Sequence, residues 1–419
     1  MSVRNRILCA YGLIVALVLA IGAVCHLGWS AQFYLAVPMI FLVRGLSIWS
    51  RDKREGRMRI VVLTVGLIGV VIAAVADWMS PSPSFGAFGR TVCAYALLTI
   101  VITSMWLYAP VGFAISKLSG KDEDRPWKRI GLRTLGILVY SFVIYAYLLS
   151  FLQTHVPKRT GDGSPAQLRL SFQDVSYLSR DGVRIAGWYV PNEDSDRAVI
   201  LCHGMGADKS DMLDFALALH EGGYTVLMPD FRGHGASGGY TVSYGPKEKW
   251  DIISGVDYLE REHPARTKHL FGVGWSMGAA SLVLAAADDD RIEGLHLDAV
   301  FASAMDMAKI LPSGAPPGYR QVTPYVATVF ACLESGVNLF GIDITEAIGE
   351  VTCPVMLVHG EEDGLIPIAQ GRQVYESANQ PKTWRAIKGA GHCGTIGVES
   401  PRYEAKMIAF LDAIGRDVE

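Results

Sequence analysis

Charge is what the first third of this 419-residue chain lacks. No Asp, Glu, Lys or Arg occurs from Ile7 to Val43, from Ile60 to Ala76, from Thr91 to Ser116 or from Thr134 to Pro157. A helix needs about 20 apolar residues to cross roughly 30 Å of hydrocarbon, and the first run is long enough for two crossings. The deficit predicts an all-α transmembrane domain of about five helices over residues 1–157. A convincing small-residue cleavage site is also missing after the first run, and more runs follow directly, which argues against a removed signal peptide. No ionisable side chain falls in the middle of a span, since Arg44 and Asp77 lie at span ends, so an anchor is expected rather than a transport pathway.

Other absences narrow the partners. The seven cysteines include no CxxC spacing, and no metal site is expected. Lys and Arg (38) do not outnumber Asp and Glu (41), and at a net charge of -3 there is no electrostatic reason for a nucleic-acid partner. Neither GxxxxGK[ST] nor GxGxxG opens a helix, so no phosphate cradle and no cofactor are expected.

Where Lys and Arg do occur early, they cluster on alternate connections. Arg4 and Arg6 precede the first span, five lie between Arg51 and Arg59, and six lie between Lys117 and Arg133, against Arg90 alone on the intervening turns. Short basic loops stay in the cytoplasm. A multi-pass cell membrane protein follows, with its N-terminus cytoplasmic and everything after about Leu152 extracytoplasmic. Lys158 and Arg159 pull weakly the other way.

From Leu168 onward the pattern is short β-branched runs alternating with helix-length segments, the mark of an α/β domain over residues 168–419. Strands are expected at Asp174 to Leu178, Val183 to Val190, Ala198 to His203, Thr225 to Pro229, His269 to Trp275, Ala299 to Ala302, Pro354 to His359 and Thr383 to Ile387. The first two should form an antiparallel hairpin about Arg180-Asp181-Gly182. The rest should make a mostly parallel eight-stranded sheet with helices on both faces, near Met212 to Glu221, Lys247 to Glu262, Met277 to Ala287, Gly371 to Ala378 and Tyr403 to Ile414.

Gly274-Trp275-Ser276-Met277-Gly278 sits between a strand and a helix. A serine on such a turn exposes its hydroxyl, and a Cβ at either flanking glycine would collide with the neighbouring strand and helix. A hydroxyl is a weak nucleophile at neutral pH, so a histidine must take its proton and a carboxylate must hold that histidine's tautomer. In this arrangement the three follow in the order Ser, acid, His. Asp363, in Gly360-Glu361-Glu362-Asp363-Gly364, is the expected acid, with Glu361 and Glu362 as competitors. His392, in the glycine-rich turn Lys388 to His392, is the expected base. The oxyanion would be held by the backbone N–H groups of Met277 and of Met205, with Gly206 the second choice for the latter. His203, Arg232 and His234 are expected to pack and brace loops.

The set HGMG, DFRGHGASGG, GWSMG, HGEEDGLIP and GAGH resembles the α/β-hydrolase superfamily, nearest its BEM46-like (serine aminopeptidase S33-type) branch, over roughly Ser171 to Leu411. The resemblance implies an α/β-hydrolase fold with Ser276 as nucleophile, Asp363 as acid and His392 as base. It also implies that a helical insertion near residues 303–351, split by Pro312, Pro316, Pro317 and Gly318, can cap the site. An apolar cap beside a membrane would favour a lipid-like acyl substrate, whereas a helix pair packed on the sheet would say nothing of substrate. Three functions are carried forward: a membrane-anchored serine esterase or thioesterase, a serine peptidase using the same residues, and an inactive membrane scaffold.

Overall fold

The computed structural model describes residue 139 and residues 142–310 and 317–416. By internal contacts the chain divides into Met1–Tyr145 and Ala146–Glu419. The first four uncharged runs lie outside the described residues, and so does the start of the fifth. What is described of the fifth includes a helix, α1 (142–154). Among the described residues no helix is long and apolar enough to cross a membrane. Residues 146–157 fall in the second unit, where Val156 joins the hydrophobic core.

The second unit is built on eight strands: β1 (Gln173–Leu178), β2 (Arg184–Val190), β3 (Arg197–Cys202), β4 (Thr225–Pro229), β5 (His269–Trp275), β6 (Gly294–Asp298), β7 (Val355–Gly360) and β8 (Lys382–Ile387). Their order across the sheet is β1-β2-β4-β3-β5-β6-β7-β8. The expected hairpin pairs β1 with β2 antiparallel, β2 joins β4 antiparallel, and every later pairing is parallel. Strands covered on both faces read as continuous apolar runs because each face needs its own set of side chains. In β3, Ala198, Ile200 and Cys202 enter one core while Val199 and Leu201 enter the other.

Helices cover both faces. On one side lie α3 (Glu248–Glu262) and α4 (Met277–Asp288), and on the other α2 (Leu213–Glu221), with α10 (Arg402–Arg416) closing the chain. Helix α10 is held by Tyr403, Met407 and Leu411, four apart and fully buried, each contributing about 1.5–3 kcal/mol by its removal from water.

Two expectations need correction. The sixth strand was expected at Ala299 to Ala302 but occupies Gly294–Asp298, where Leu295 and Leu297 alternate with the fully buried His296 and Asp298. The polar His296 and Asp298 interrupt the apolar run that marks a buried strand, and residues 299–302 instead leave the sheet, with Ala299 at φ 53°. The insertion is likewise more than a pair of helices. It contains α5 (Ala304–Ile310), α6 (Pro317–Ser335) and α7 (Ile344–Glu350). The expected split falls between α5 and α6, and Pro317 opens α6, where the first turn needs no N–H from that residue. Asp343 caps α7 by accepting from the amides of Thr345 and Glu346. Two more helices, α8 (Ile368–Ser377) and α9 (Thr395–Glu399), flank β8.

Candidate active site

In an open α/β sheet the carboxyl ends of the strands frame the crevice where side chains can meet. Ser276 sits there between β5 and α4, at φ 52° and ψ -120°, a conformation that a residue with a Cβ adopts only under constraint. Its amide donates to the Asp298 carbonyl of β6 at 2.8 Å. The turn tolerates no bulk. A Cβ on Gly278 would stand 2.3 Å from the Cys202 carbonyl oxygen, and one on Gly274 would stand 3.0 Å from the Gly278 backbone.

The three residues singled out by chain order lie in one hydrogen-bonded line. Nε2 of His392 is 3.2 Å from Ser276 Oγ, and Nδ1 is 2.8 Å from Asp363 Oδ2. With Nδ1 protonated, the ring donates to the carboxylate and accepts from the hydroxyl. Asp363 is buried, its Oδ1 accepting the amides of Leu365 at 2.9 Å and Ile366 at 2.8 Å. Burial alone would raise its pKa, but hydrogen bonds from His359, His392 and the Ile366 amide outweigh that and hold it well below the ordinary carboxylate range. Glu361 and Glu362, the competing acids, are both exposed.

Around Ser276 lies a cleft of about 240 Å³, lined by Arg159, Gly204 to Ala207, Asp211, Trp275, His392 and Cys393. Met205 forms part of its wall, and Met277 begins α4 directly behind the serine. No described residue of the insertion lines the cleft. Within the insertion α5 and α6 pack on each other, with the Thr328 hydroxyl 3.5 Å from Met305 Sδ.

The flanking histidines and Arg232 hold loops. The His203 ring is buried, with Nδ1 donating to the Gly204 carbonyl at 2.7 Å and Nε2 accepting the Phe231 amide at 3.0 Å. His234 does the same for the opposite strand end, donating to the Arg232 carbonyl and accepting the Gly206 amide. Burial and the neighbouring His203 push the His234 pKa down to about 4, so the ring is neutral. Arg232 is buried between Asp251 and Asp181; burial works against its charge, yet hydrogen bonds to both carboxylates outweigh that and hold the guanidinium charged.

Several residues of the site carried no readable signal in the sequence. His359, expected only as the end of a strand, places Nε2 3.4 Å from Asp363 Oδ2 while donating to the Ile366 carbonyl at 2.9 Å. Asp298 accepts from Tyr403 Oη at 2.9 Å and from the Thr395 hydroxyl, three residues past His392. It thus ties the histidine loop to the strand whose carbonyl fixes the Ser276 amide. Arg159 comes from the connection after α1 and pairs with Asp211 at the cleft mouth.

Comparison with known proteins agrees with this architecture. A family described as "Alpha/beta hydrolase family" matches residues 199–403. Relatives include YqkD of Bacillus subtilis, 27% identical over 245 residues that cover 57% of this chain and 78% of the relative. YfhR of Escherichia coli K12 is 26% identical over 252 residues, covering 58% and 81%; both relatives are described as uncharacterized. Among solved structures, the Pyrococcus furiosus esterase Pf2001 is 25% identical with a TM-score of 0.51, over 62% of this chain and 98% of the esterase. The family match over residues 199–403, the strand order and the likeness to the solved esterase together support an α/β-hydrolase fold for the second unit.

Proposed function

We propose that this chain is a membrane-anchored serine hydrolase that cleaves a carboxylic ester or thioester through an acyl-serine intermediate. The observation that carries this is the line from Ser276 Oγ through His392 to Asp363, with gaps of 3.2 and 2.8 Å, on a turn that presents the hydroxyl to the cleft. His392 takes the serine proton as Oγ attacks the substrate carbonyl, and Asp363 stabilises the imidazolium that forms. The oxyanion is received by the amides of Met277 and Met205, since the Gly206 amide is already given to His234. His392 then returns the proton to the leaving alcohol or thiol. A water, deprotonated by the same ring, releases the acid and regenerates Ser276.

The ester preference draws support from the likeness to the Pyrococcus furiosus esterase. Peptide bond cleavage by the same three residues is the second reading, and an inactive scaffold the third. The anchor, the cytoplasmic N-terminus and the extracytoplasmic hydrolase domain rest on the uncharged runs and on the basic loops between them. Protection of residues 168–419 from external protease in intact cells would reverse that orientation.

A fluorophosphonate probe tests the chemistry. It should label the native chain and not Ser276→Ala, whose turnover of short p-nitrophenyl esters should fall by roughly 10⁴-fold with folding intact. Faster turnover of aminoacyl amides than of esters would favour the peptidase, and a folded but unlabelled native chain would favour the scaffold.

A further inference from the structure

The lining of the cleft is divided in character. Met205 and Trp275 give it apolar surface, the indole resting edge-on against Phe215 at 5.6 Å, whereas Arg159 and Asp211 give it an ion pair. Nη2 of Arg159 donates to both oxygens of Asp211, and Nε lies 3.7 Å from Oδ2 of the buried Asp208. Burial works against the Asp208 charge, yet the Ser210 hydroxyl and amide, the Gly161 amide and Arg159 outweigh it and hold the pKa below the ordinary carboxylate value. The charged wall is also fixed. On either side of Arg159, Lys158 Nζ donates to the Ser237 carbonyl at 2.5 Å and the Gly161 amide donates to Asp208 Oδ2 at 2.7 Å. A Cβ on Gly161 would collide with Ser210 Oγ, so this segment lies flush against the Lys209–Met212 turn. Asp211 is held in turn by the Asp208 amide, which donates to its Oδ2 at 3.0 Å.

We propose that the Arg159–Asp211 pair determines specificity for the acyl chain, so that Ser276 takes neutral esters or thioesters of short acids, about two to four carbons, and long apolar chains are rejected. The proposal rests on the acyl-serine reading above and names its substrate class. Size and charge point the same way. The cleft's volume of about 240 Å³ equals roughly eight water molecules at about 30 Å³ each, and pockets for drug-sized ligands run to roughly 300–1,000 Å³. An ester group and a short acyl chain fill such a space, with Met205 and Trp275 as the surface for the first carbons. A longer chain has to spread along the rest of the lining. Against Arg159 and Asp211, whose side chains are 54 and 31% exposed, its methylenes would strip water from two charges and offer them nothing in return. A short chain leaves the pair wet. Because one guanidinium faces two carboxylates, the wall gives an anionic acyl group no net attraction, which leaves neutral acids as the class.

The test is the full chain with the p-nitrophenyl esters of acetate, butyrate, octanoate and decanoate, each below its micelle concentration. Native kcat/KM should be greatest for acetate or butyrate and lower for octanoate by roughly ten-fold or more. Arg159→Met combined with Asp211→Asn removes both charges and leaves an oxygen for the Asp208 amide. In that double variant the octanoate-to-butyrate ratio should rise by roughly ten-fold, while Arg159→Lys, which keeps a cation opposite Asp211, should hold the native ratio. Octanoate or decanoate turned over as well as butyrate by the native chain would overturn the proposal, and so would an unchanged ratio in the folded double variant. The native profile decides even if the double variant fails to fold. No turnover at any chain length, in a native chain that a fluorophosphonate still labels, would defeat the ester reading itself, whereas a long-chain preference defeats the chain-length assignment alone.

Discussion

The amide of Gly206 donates to Nε2 of His234 across 3.0 Å, and Nδ1 of the same ring donates to the Arg232 carbonyl at 2.9 Å. A single neutral tautomer satisfies both bonds, and it fastens the loop that bears Met205 to the turn after β4. His234→Ala should leave the Gly206 N–H without its partner in a buried setting, costing about 1–3 kcal/mol of stability. With the Met205 amide no longer held in place, turnover should also fall by roughly ten-fold or more, because small misplacements at a reacting centre are expensive. Urea denaturation and steady-state ester hydrolysis measure the two effects. Native values in both would mean that the ring braces nothing of consequence.

Acid should weaken this domain through its buried neutral histidines, with part of the loss offset by Asp251, whose carboxyl pKa burial raises to about 6 so that the folded chain takes up a proton there. Burial first, with His203 nearby, lowers the His234 pKa from 6.5 to about 4, and burial with Arg385 lowers that of His296 to about 3. An unfolded chain would take up these protons below pH 6.5 while the folded one would not, so stability is full above pH 6.5 and is lost as pH falls toward 4. One such ring is worth on the order of 3 kcal/mol across that window. Asp363, whose pKa is depressed from 3.8, contributes stability that is present above that value and lost below it. The urea midpoint measured from pH 7.5 to 4 should drop steadily, and a flat profile across that range would contradict the neutral buried histidines.

Asp363→Asn replaces the acceptor of the His392 Nδ1 hydrogen by a group that can offer an N–H instead. The ring would then favour the opposite tautomer, with Nε2 protonated and unable to accept from Ser276. We expect kcat to fall by roughly 10³–10⁴-fold with KM altered far less. The amides of Leu365 and Ile366 can still bond to the Asn oxygen, but the stability held by the depressed Asp363 carboxylate is lost, so the thermal midpoint should fall while the chain still folds. Comparable loss from Glu362→Gln would shift the acid's role away from Asp363.

Gly278→Ala tests the turn itself. Its added Cβ would meet the backbone oxygens of Cys202 at 2.3 Å and His203 at 2.6 Å, and neither can rotate away as a side chain could. The strand end that carries the Gly204 to Gly206 loop must move, at a cost of about 1–3 kcal/mol or more. Fluorophosphonate labelling of the folded variant should slow markedly. An unaltered labelling rate would show that the contact is softer than its geometry implies.

Sequence alone determined the features set by short-range sterics and periodicity. The glycines flanking Ser276, the alternation of apolar runs with helical segments, the early hairpin and the order Ser276, Asp363, His392 all belong to this class, because each depends on neighbours a few residues away or on chain order. The placement of β6 did not, since His296 and Asp298 are polar residues that become acceptable in a strand only after Tyr403, Thr395 and the sheet close over them.

What only the tertiary structure decided are contacts between residues distant in sequence. The second histidine beside Asp363, the link from Asp298 to the segment following His392, Arg159 at the cleft and the outward apolar face of α6 leave no local pattern. A hydrogen bond or an exposed face at such separations depends on how whole layers pack, and packing is a property of the assembled sheet and helices rather than of any one segment.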